Sequence, residues 1–350
     1  MDTKIIRMMP DNIDYHELSE AAEVIKNGGL VVFPTETVYG LGADATNGEA
    51  AKKIFEAKGR PQDNPLIIHV ADFSINEYVK DVPKVAKEMM DKFWPGPLTI
   101  ILNKSDKISN ITSAGGSTVG IRMPENTIAR ELIRLAGVPI AAPSANISGK
   151  PSPTDIERCI EDLQGRVDYI IGGEKCTVGV ESTVVDCTVE PPCILRPGGI
   201  TLEMLKKVHD DTYIDGAILK KPEKDFKPKA PGMKYRHYAP KAPVRIINGD
   251  IQKTIEKINE IVQNYIDRNM KVGIIATEET KSSYPYGEVI SLGSRSDMRS
   301  IAKNLFEALR KMDDKNVDII LSEAFEEEGI GVAVMNRLKK AAAFEIINVF

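Results

Sequence analysis

Apolar positions along this chain fall into two alternating patterns, and their rhythm predicts a sheet flanked by helices. Short unbroken apolar runs bounded by glycine, proline or small polar residues predict strands at 30–33, 66–70, 98–102, 118–122, 138–142, 169–171, 183–186 and 194–196. Buried strands of α/β sheets read in this way. Between them, apolar residues recur at helical spacing over 49–57, 84–93, 128–136 and 156–163. The alternation predicts an α/β or α+β sheet domain over 1–208. A Lys- and Pro-rich stretch, 209–243, breaks the rhythm and reads as an interdomain linker with polyproline character. Beyond it, strands at 244–247, 272–276 and 319–321 alternate with helices over 255–268, 298–312 and 332–343, which predicts a small Rossmann-like domain over 244–350. Its first strand is not followed by Gly-x-Gly-x-x-Gly, so no dinucleotide is assigned to it.

Polar groups collect where the predicted strands end, the usual place for ligand groups on open α/β sheets. The first strand runs into Phe33-Pro34-Thr35-Glu36-Thr37-Val38-Tyr39-Gly40-Leu41-Gly42. Lys58 and Arg60 flank a glycine that ends a helix, so both cations can serve one polyphosphate, Arg as a planar fork and Lys as a mobile point charge. Two solvated cations favoured by the helix dipole read equally from this spacing. Asn64 precedes Pro65, and His69, one of four histidines, sits in an apolar strand either as a hydrogen-bonded core group or as a contact for a small polar substrate. Gly115-Gly116-Ser117-Thr118 leads into a strand ending in Arg122, suited to a carboxylate or to a salt bridge. Ser144 and Asn146 lie beyond strand 138–142, and Glu181-Ser182-Thr183 and Leu195-Arg196-Pro197 repeat the arrangement. Each motif alone also suits a turn or a cap; their number at separate strand ends is what points to a nucleotide cleft.

Charge narrows the partners. The net charge is −5. Residues 1–219 carry 23 Lys and Arg against 32 Asp and Glu, 220–241 carry 8 against 2, and 242–350 carry 15 against 17. An acidic body argues against broad contact with a nucleic-acid backbone, whereas the short basic strip suits either one polyphosphate or a solvated linker. Cys159, Cys176, Cys187 and Cys193 form no Cys-x-x-Cys pair or zinc pattern and read as reduced thiols. No apolar run approaches the ~20 residues that cross a bilayer, and the opening residues carry no secretory pattern, so the expected location is the cytoplasm.

Taken together these motifs resemble the YrdC-like family, and more closely its long, two-domain threonylcarbamoyl-AMP synthases. The resemblance rests on Pro34–Leu41, Lys58-Gly59-Arg60-Pro61, Pro65-Leu66, Trp94-Pro95-Gly96-Pro97-Leu98-Thr99, Gly120-Ile121-Arg122-Met123-Pro124, Pro143-Ser144-Ala145-Asn146-Ile147-Ser148-Gly149 and Glu181-Ser182-Thr183-Val184. The long form's linker motif is similar to Pro231-Gly232-Met233-Lys234-Tyr235-Arg236-His237-Tyr238-Ala239-Pro240, and its last-domain signature to Gly331-Val332-Ala333-Val334-Met335-Asn336-Arg337-Leu338. The resemblance implies a twisted sheet around a concave, positively lined cavity. It also implies the joining of L-threonine, bicarbonate and ATP into threonylcarbamoyl-AMP with release of pyrophosphate. By carry-over, Thr35, His69, Arg122, Ala142 and Ser182 would hold threonine. Lys58, Arg60, Asn64, Thr118, Ser144, Asn146, Ser152, Arg196 and Tyr235 would hold ATP, with Lys58 and Arg60 catalytic through the phosphates. Mg2+ would accompany ATP, held mainly by phosphate and water rather than by dedicated protein ligands. The product would pass to a separate tRNA-modifying transferase. The competing functions are an RNA-binding translation factor, whose wide basic face is missing from this sequence, and a carbamoyl-transfer module, whose zinc motifs and acylphosphatase-like segment are missing too.

Overall fold

The structure, a computed structural model, describes residues 2–219 and 237–350. Two compact units emerge, Met1–Ser148 with Ser152–Tyr235, and Gly149–Pro151 with Arg236–Phe350.

The first unit is built on eleven strands: β1 Lys4–Arg7, β2 Val31–Phe33, β3 Gly40–Asp44, β4 Ile67–His69, β5 Leu98–Asn103, β6 Thr118–Arg122, β7 Ile140–Ala141, β8 Tyr169–Gly172, β9 Thr183–Asp186, β10 Cys193–Arg196 and β11 Tyr213–Ile214. They form one mixed sheet in the order β1-β8-β2-β3-β7-β4-β6-β5-β9-β10-β11. Its helices are α1 Tyr15–Lys26, α2 Gly48–Lys58, α3 Lys84–Phe93, α4 Thr127–Ala136, α5 Ile156–Leu163 and α6 Leu202–Lys206.

Strand alternation sends successive side chains to opposite faces, and the two faces are covered differently. On one face Val32, Leu41, Ile68, Ile121, Ile100, Val185 and Ile194 pack with the apolar sides of α2, α3 and α5 in the main core. On the other, α1 and α4 close over Val31, Phe33, Ile140 and Ala142. That second cluster stops at β7. The remaining half of the face, over β4, β6, β5, β9 and β10, carries the polar groups described below.

Two departures from the sequence reading have local causes. The glycines of Gly40–Asp44 suggest a turn, yet the segment is a strand antiparallel to β2. At Gly42 a Cβ would come within 2.6 Å of Ile140 Cγ2 and 2.8 Å of Phe33 Cε1, so glycine there permits close packing rather than a bend. At the head of the expected linker, Tyr213–Ile214 pairs parallel with β10, and a 3-10 turn follows at Gly216–Leu219.

The second unit holds a five-stranded sheet, β12 Val244–Gly249, β13 Val272–Ala276, β14 Glu288–Ser291, β15 Ile319–Glu323 and β16 Ile346–Val349, with α7 Ile251–Ile266, α8 Met298–Asp314 and α9 Gly331–Ala341. The order is β14-β13-β15-β12-β16 and every pairing is parallel. The sequence pattern finds the three inner strands and omits the two edges, whose side chains are half-exposed or exposed and lack an unbroken apolar run.

Candidate functional site

Backbone register places one row of residues across five strands. His69 pairs with Arg122, Arg122 with Thr99, Thr99 with Val184, and Val184 with Arg196. All share the half-face that α1 and α4 leave uncovered. Two residues away along four of these strands, back in β4 and β6 and forward in β5 and β9, lies a second row, Ile67, Gly120, Ile101 and Asp186. A Cβ at Gly120 would sit 3.1 Å from Thr99 Cγ2 and 3.4 Å from Ile67 Cγ1, so glycine keeps this floor low. A cavity of about 450 Å3 opens over the second row, lined also by Pro65, Asn103 and Thr118.

At the first row, Arg122 is buried and its Nη2 donates to Glu36 Oε1 at 2.7 Å. Both side chains of this pair are at most 5% exposed. Breaking such a pair by deleting one partner costs about 3–5 kcal/mol, because a buried charge is left behind. Glu36 Oε2 also accepts from the backbone N–H of Glu125 at 3.1 Å. Arg122 Nε, by contrast, is buried without a hydrogen-bond partner, and so is Nδ1 of His69. Burial, and then the Arg122 charge, push the His69 imidazole down to about 3, so the ring is neutral at ordinary pH. Buried polar atoms left unsatisfied are uncommon and call for a partner, such as a water, an ion or a ligand atom. Ser182 lies at the far end of the row, its Oγ 2.7 Å from Thr99 Oγ1, with Arg196 donating to the same oxygen at 3.0 Å and to the Ser182 carbonyl at 2.9 Å.

The other end of the same strands is built around Lys58 and Arg60. Asn47 caps α2 by accepting from Glu49 and Ala50 N–H groups, and Gly59 ends it in the left-handed region at φ 62. That turn delivers Lys58 and Arg60 inward: they are 2% and 9% exposed, which rules out the solvated-cation reading. Lys58 Nζ donates to the carbonyls of Ser144 and Asn146, and its own carbonyl accepts from Ser148 N–H at 2.9 Å. Arg60 Nη2 donates to the carbonyls of Asn64 and Pro65 at 3.3 and 3.1 Å. Asn64 Oδ1 is buried without a partner. Ser144 Oγ donates to Asn146 Oδ1 at 2.6 Å. The Lys-x-Arg and Ser-x-Asn motifs, far apart in sequence, thus form one cluster beside Pro65 and Thr118.

Three further residues from the sequence reading lie around these groups. Thr35 Oγ1 holds its own turn, accepting from Thr37 and Val38 N–H and donating to the Val38 carbonyl at 2.6 Å. Ala142 donates its N–H to Ile67 O at 2.9 Å, between the two ends. Ser152 Oγ donates to Glu181 Oε1 at 2.6 Å, both buried. Tyr235 lies outside the described residues. The structure adds Glu36 and Thr99, to which the sequence reading gave no role. Glu36 stands inside the quoted motif as a charge between small hydroxyl residues, and Thr99 faces Arg122 in register; both signals needed strand pairing to be read.

Among the described residues no three His, Cys, Asp or Glu cluster as a metal site. The carboxylates in and beside the rows are engaged, Asp186 by the Thr188 N–H and hydroxyl, Glu36 by Arg122 and Glu181 by Ser152. This donor set fits a hard cation that arrives on phosphate oxygens rather than one caged by protein. The four cysteines are buried without disulfides, and burial pushes Cys176 and Cys187 up, Cys187 to about 12, so they stay thiols. No helix of the described residues is long and apolar enough to cross a membrane.

Known proteins match nearly the whole chain. Residues 23–198 match the Sua5–YciO–YrdC family model, described as "Telomere recombination", and residues 200–343 match "Threonylcarbamoyl-AMP synthase, C-terminal domain". The Threonylcarbamoyl-AMP synthase of Pyrococcus abyssi is 49% identical over 346 residues, covering 99% of each chain. That of Bacillus subtilis is 46% identical over 333 residues, covering 95% of this chain and 94% of its own. The crystal structure of P. abyssi Sua5 complexed with L-threonine superposes with a TM-score of 0.93 at 47% identity, covering 100% of both chains.

Proposed function

The chain belongs to the threonylcarbamoyl-AMP synthase family in its two-domain form, a nucleotidyltransferase that uses ATP, and on that premise we propose how its own residues divide the reaction. The threonine amine combines with bicarbonate, losing water, to give a carbamate. A carbamate oxygen then attacks the α-phosphorus of ATP, the bond to the β-phosphate oxygen breaks, and pyrophosphate leaves. No side-chain nucleophile is required, so the protein acts by positioning and by offsetting charge.

Threonine occupies the His69–Arg122 end. Arg122 takes the carboxylate, using the donors that Glu36 leaves available, and the neutral His69 accepts from threonine through Nδ1. Ser182, Thr35 and Ala142 complete the pocket. ATP lies with its phosphates toward the opposite end: Lys58 and Arg60 face them, with Asn64, Thr118, Ser144 and Asn146 around them, while Arg196 and Ser152, beside Ser182 and Glu181, reach ATP from the threonine side. Tyr235 is assigned to ATP on the motif alone. Thr118 and Arg122 are four residues apart on one strand, about 13 Å at ~3.3 Å per residue, a span that threonine and a triphosphate chain cover together. Mg2+ bound to ATP would supply charge neutralisation on the phosphates beside Lys58 and Arg60.

We assign catalysis to 1–208, with β11 completing its sheet, a connecting role to the rest of 209–243 and a second domain to 244–350. The product passes to a separate transferase acting on tRNA in the cytoplasm, and the acidic first unit fits a protein that does not itself hold nucleic acid stably. The observation that carries this reading is the single sheet face with unsatisfied Arg122, His69 and Asn64 atoms. Incubating the protein with ATP, Mg2+, bicarbonate and L-threonine, omitting each in turn, should give the threonylcarbamoyl-AMP mass and pyrophosphate only with the full set. Nucleotide binding without that mass would overturn it.

A further inference from the structure

Glu36 ties its own segment to two others at the threonine end, 122–125 and the one holding Val178. Its carboxylate takes Arg122 Nη2 on one oxygen and the Glu125 N–H on the other. Its backbone carbonyl accepts from Val178 N–H at 2.8 Å, in the segment that leads to Ser182. It is 5% exposed, so its charge is held out of water and is answered by the guanidinium. An Arg fork gripped by a carboxylate on one Nη loses freedom to rotate, and its remaining donors keep a fixed direction. Arg122 Nε, buried and without a partner, is one such donor.

We propose that Glu36 is the positioning residue for threonine recognition: it orients Arg122 so that the guanidinium's remaining donors meet the substrate carboxylate, and through its carbonyl it ties the Ser182 loop to the same point. This rests on the reading of Arg122 as the carboxylate site. It predicts that Glu36 governs how well the enzyme tells a carboxylate from an uncharged end, and that it leaves the phosphate end alone.

The test measures KM for L-threonine and for ATP, kcat, and calorimetric affinity for L-threonine and L-threoninamide, in wild type, Glu36→Gln and Glu36→Asp. Glu36→Gln should raise the threonine KM by about tenfold or more, with kcat and the ATP KM within about twofold, the pattern of lost ground-state binding. Glu36→Asp keeps the charge but retracts it by one methylene, and should give an intermediate rise. Both variants should bind threonine and threoninamide more equally than wild type does. Folded variants with an unchanged threonine KM, or with threonine and ATP KM rising together, would overturn the proposal. Should Glu36→Gln not fold, Glu36→Asp decides alone. Wild type binding threoninamide as tightly as threonine would instead overturn the Arg122 reading itself.

Discussion

The two ends of the β4–β6 strand pair hold their cations by different means. At one end Arg122 is met by a buried carboxylate at 2.7 Å. At the other, Lys58 and Arg60 donate to main-chain carbonyls of Ser144, Asn146, Asn64 and Pro65. A carboxylate fixes direction and cancels charge; a carbonyl dipole fixes direction while the cation keeps most of its field. The first arrangement suits a single carboxylate that must be recognised by geometry. The second suits a polyanion whose charge grows and shifts during the reaction. On the proposed assignment, one sheet face would serve a small amino acid and a triphosphate because its two ends differ in what neutralises their cations.

The largest expected effect breaks the phosphate end. Lys58→Ala should lower turnover by about 10²–10³-fold, the range seen when a preorganised donor at developing charge is removed. Threonine affinity, read by calorimetry, should stay within about twofold. A parallel loss of threonine binding would mean that the two ends are not separable. A smaller effect sharpens the threonine end. His69, held neutral with its imidazole near 3, protonates only on unfolding as pH falls below about 6.5. The unfolded chain then binds a proton that the folded one does not, so stability declines toward acid. Between pH 7 and 5.5 this single group should cost about 1 kcal/mol. Denaturant unfolding of His69→Gln should show that much less decline than wild type, and identical declines would place the protonated ring inside the folded protein.

Much of the fold is legible because its inner strands are unbroken apolar runs and its helices carry clear periodicity. Residues 244–247, 272–276 and 319–321 mark three of the five strands of the second sheet for this reason. Helix Tyr15–Lys26 goes unread although Leu18, Ala21, Ala22 and Ile25 fall at helical spacing and Asp14 caps it by accepting from His16 and Glu17 N–H. β3 is hidden by glycines that serve packing. At the site, strand-end motifs identify which residues to examine, but not their partners. Glu36 and Arg122 are 86 positions apart, as are Lys58 and Ser144, and only strand pairing makes either a contact. The burial of Lys58 is likewise set by the loop that folds over it, and a helix-end lysine in isolation carries no trace of that.

In the proposed division, the threonine carboxylate and the ATP phosphates are held at opposite ends of one strand face by cations that do not substitute for each other. Titrating L-threonine and a non-hydrolysable ATP analogue into Arg122→Lys and Arg60→Lys tests it most directly, since lysine keeps the charge and removes the planar fork. Arg122→Lys should lose threonine affinity by about tenfold or more with the analogue within about twofold, and Arg60→Lys should show the reverse. Equal losses of both ligands in either variant would contradict the division.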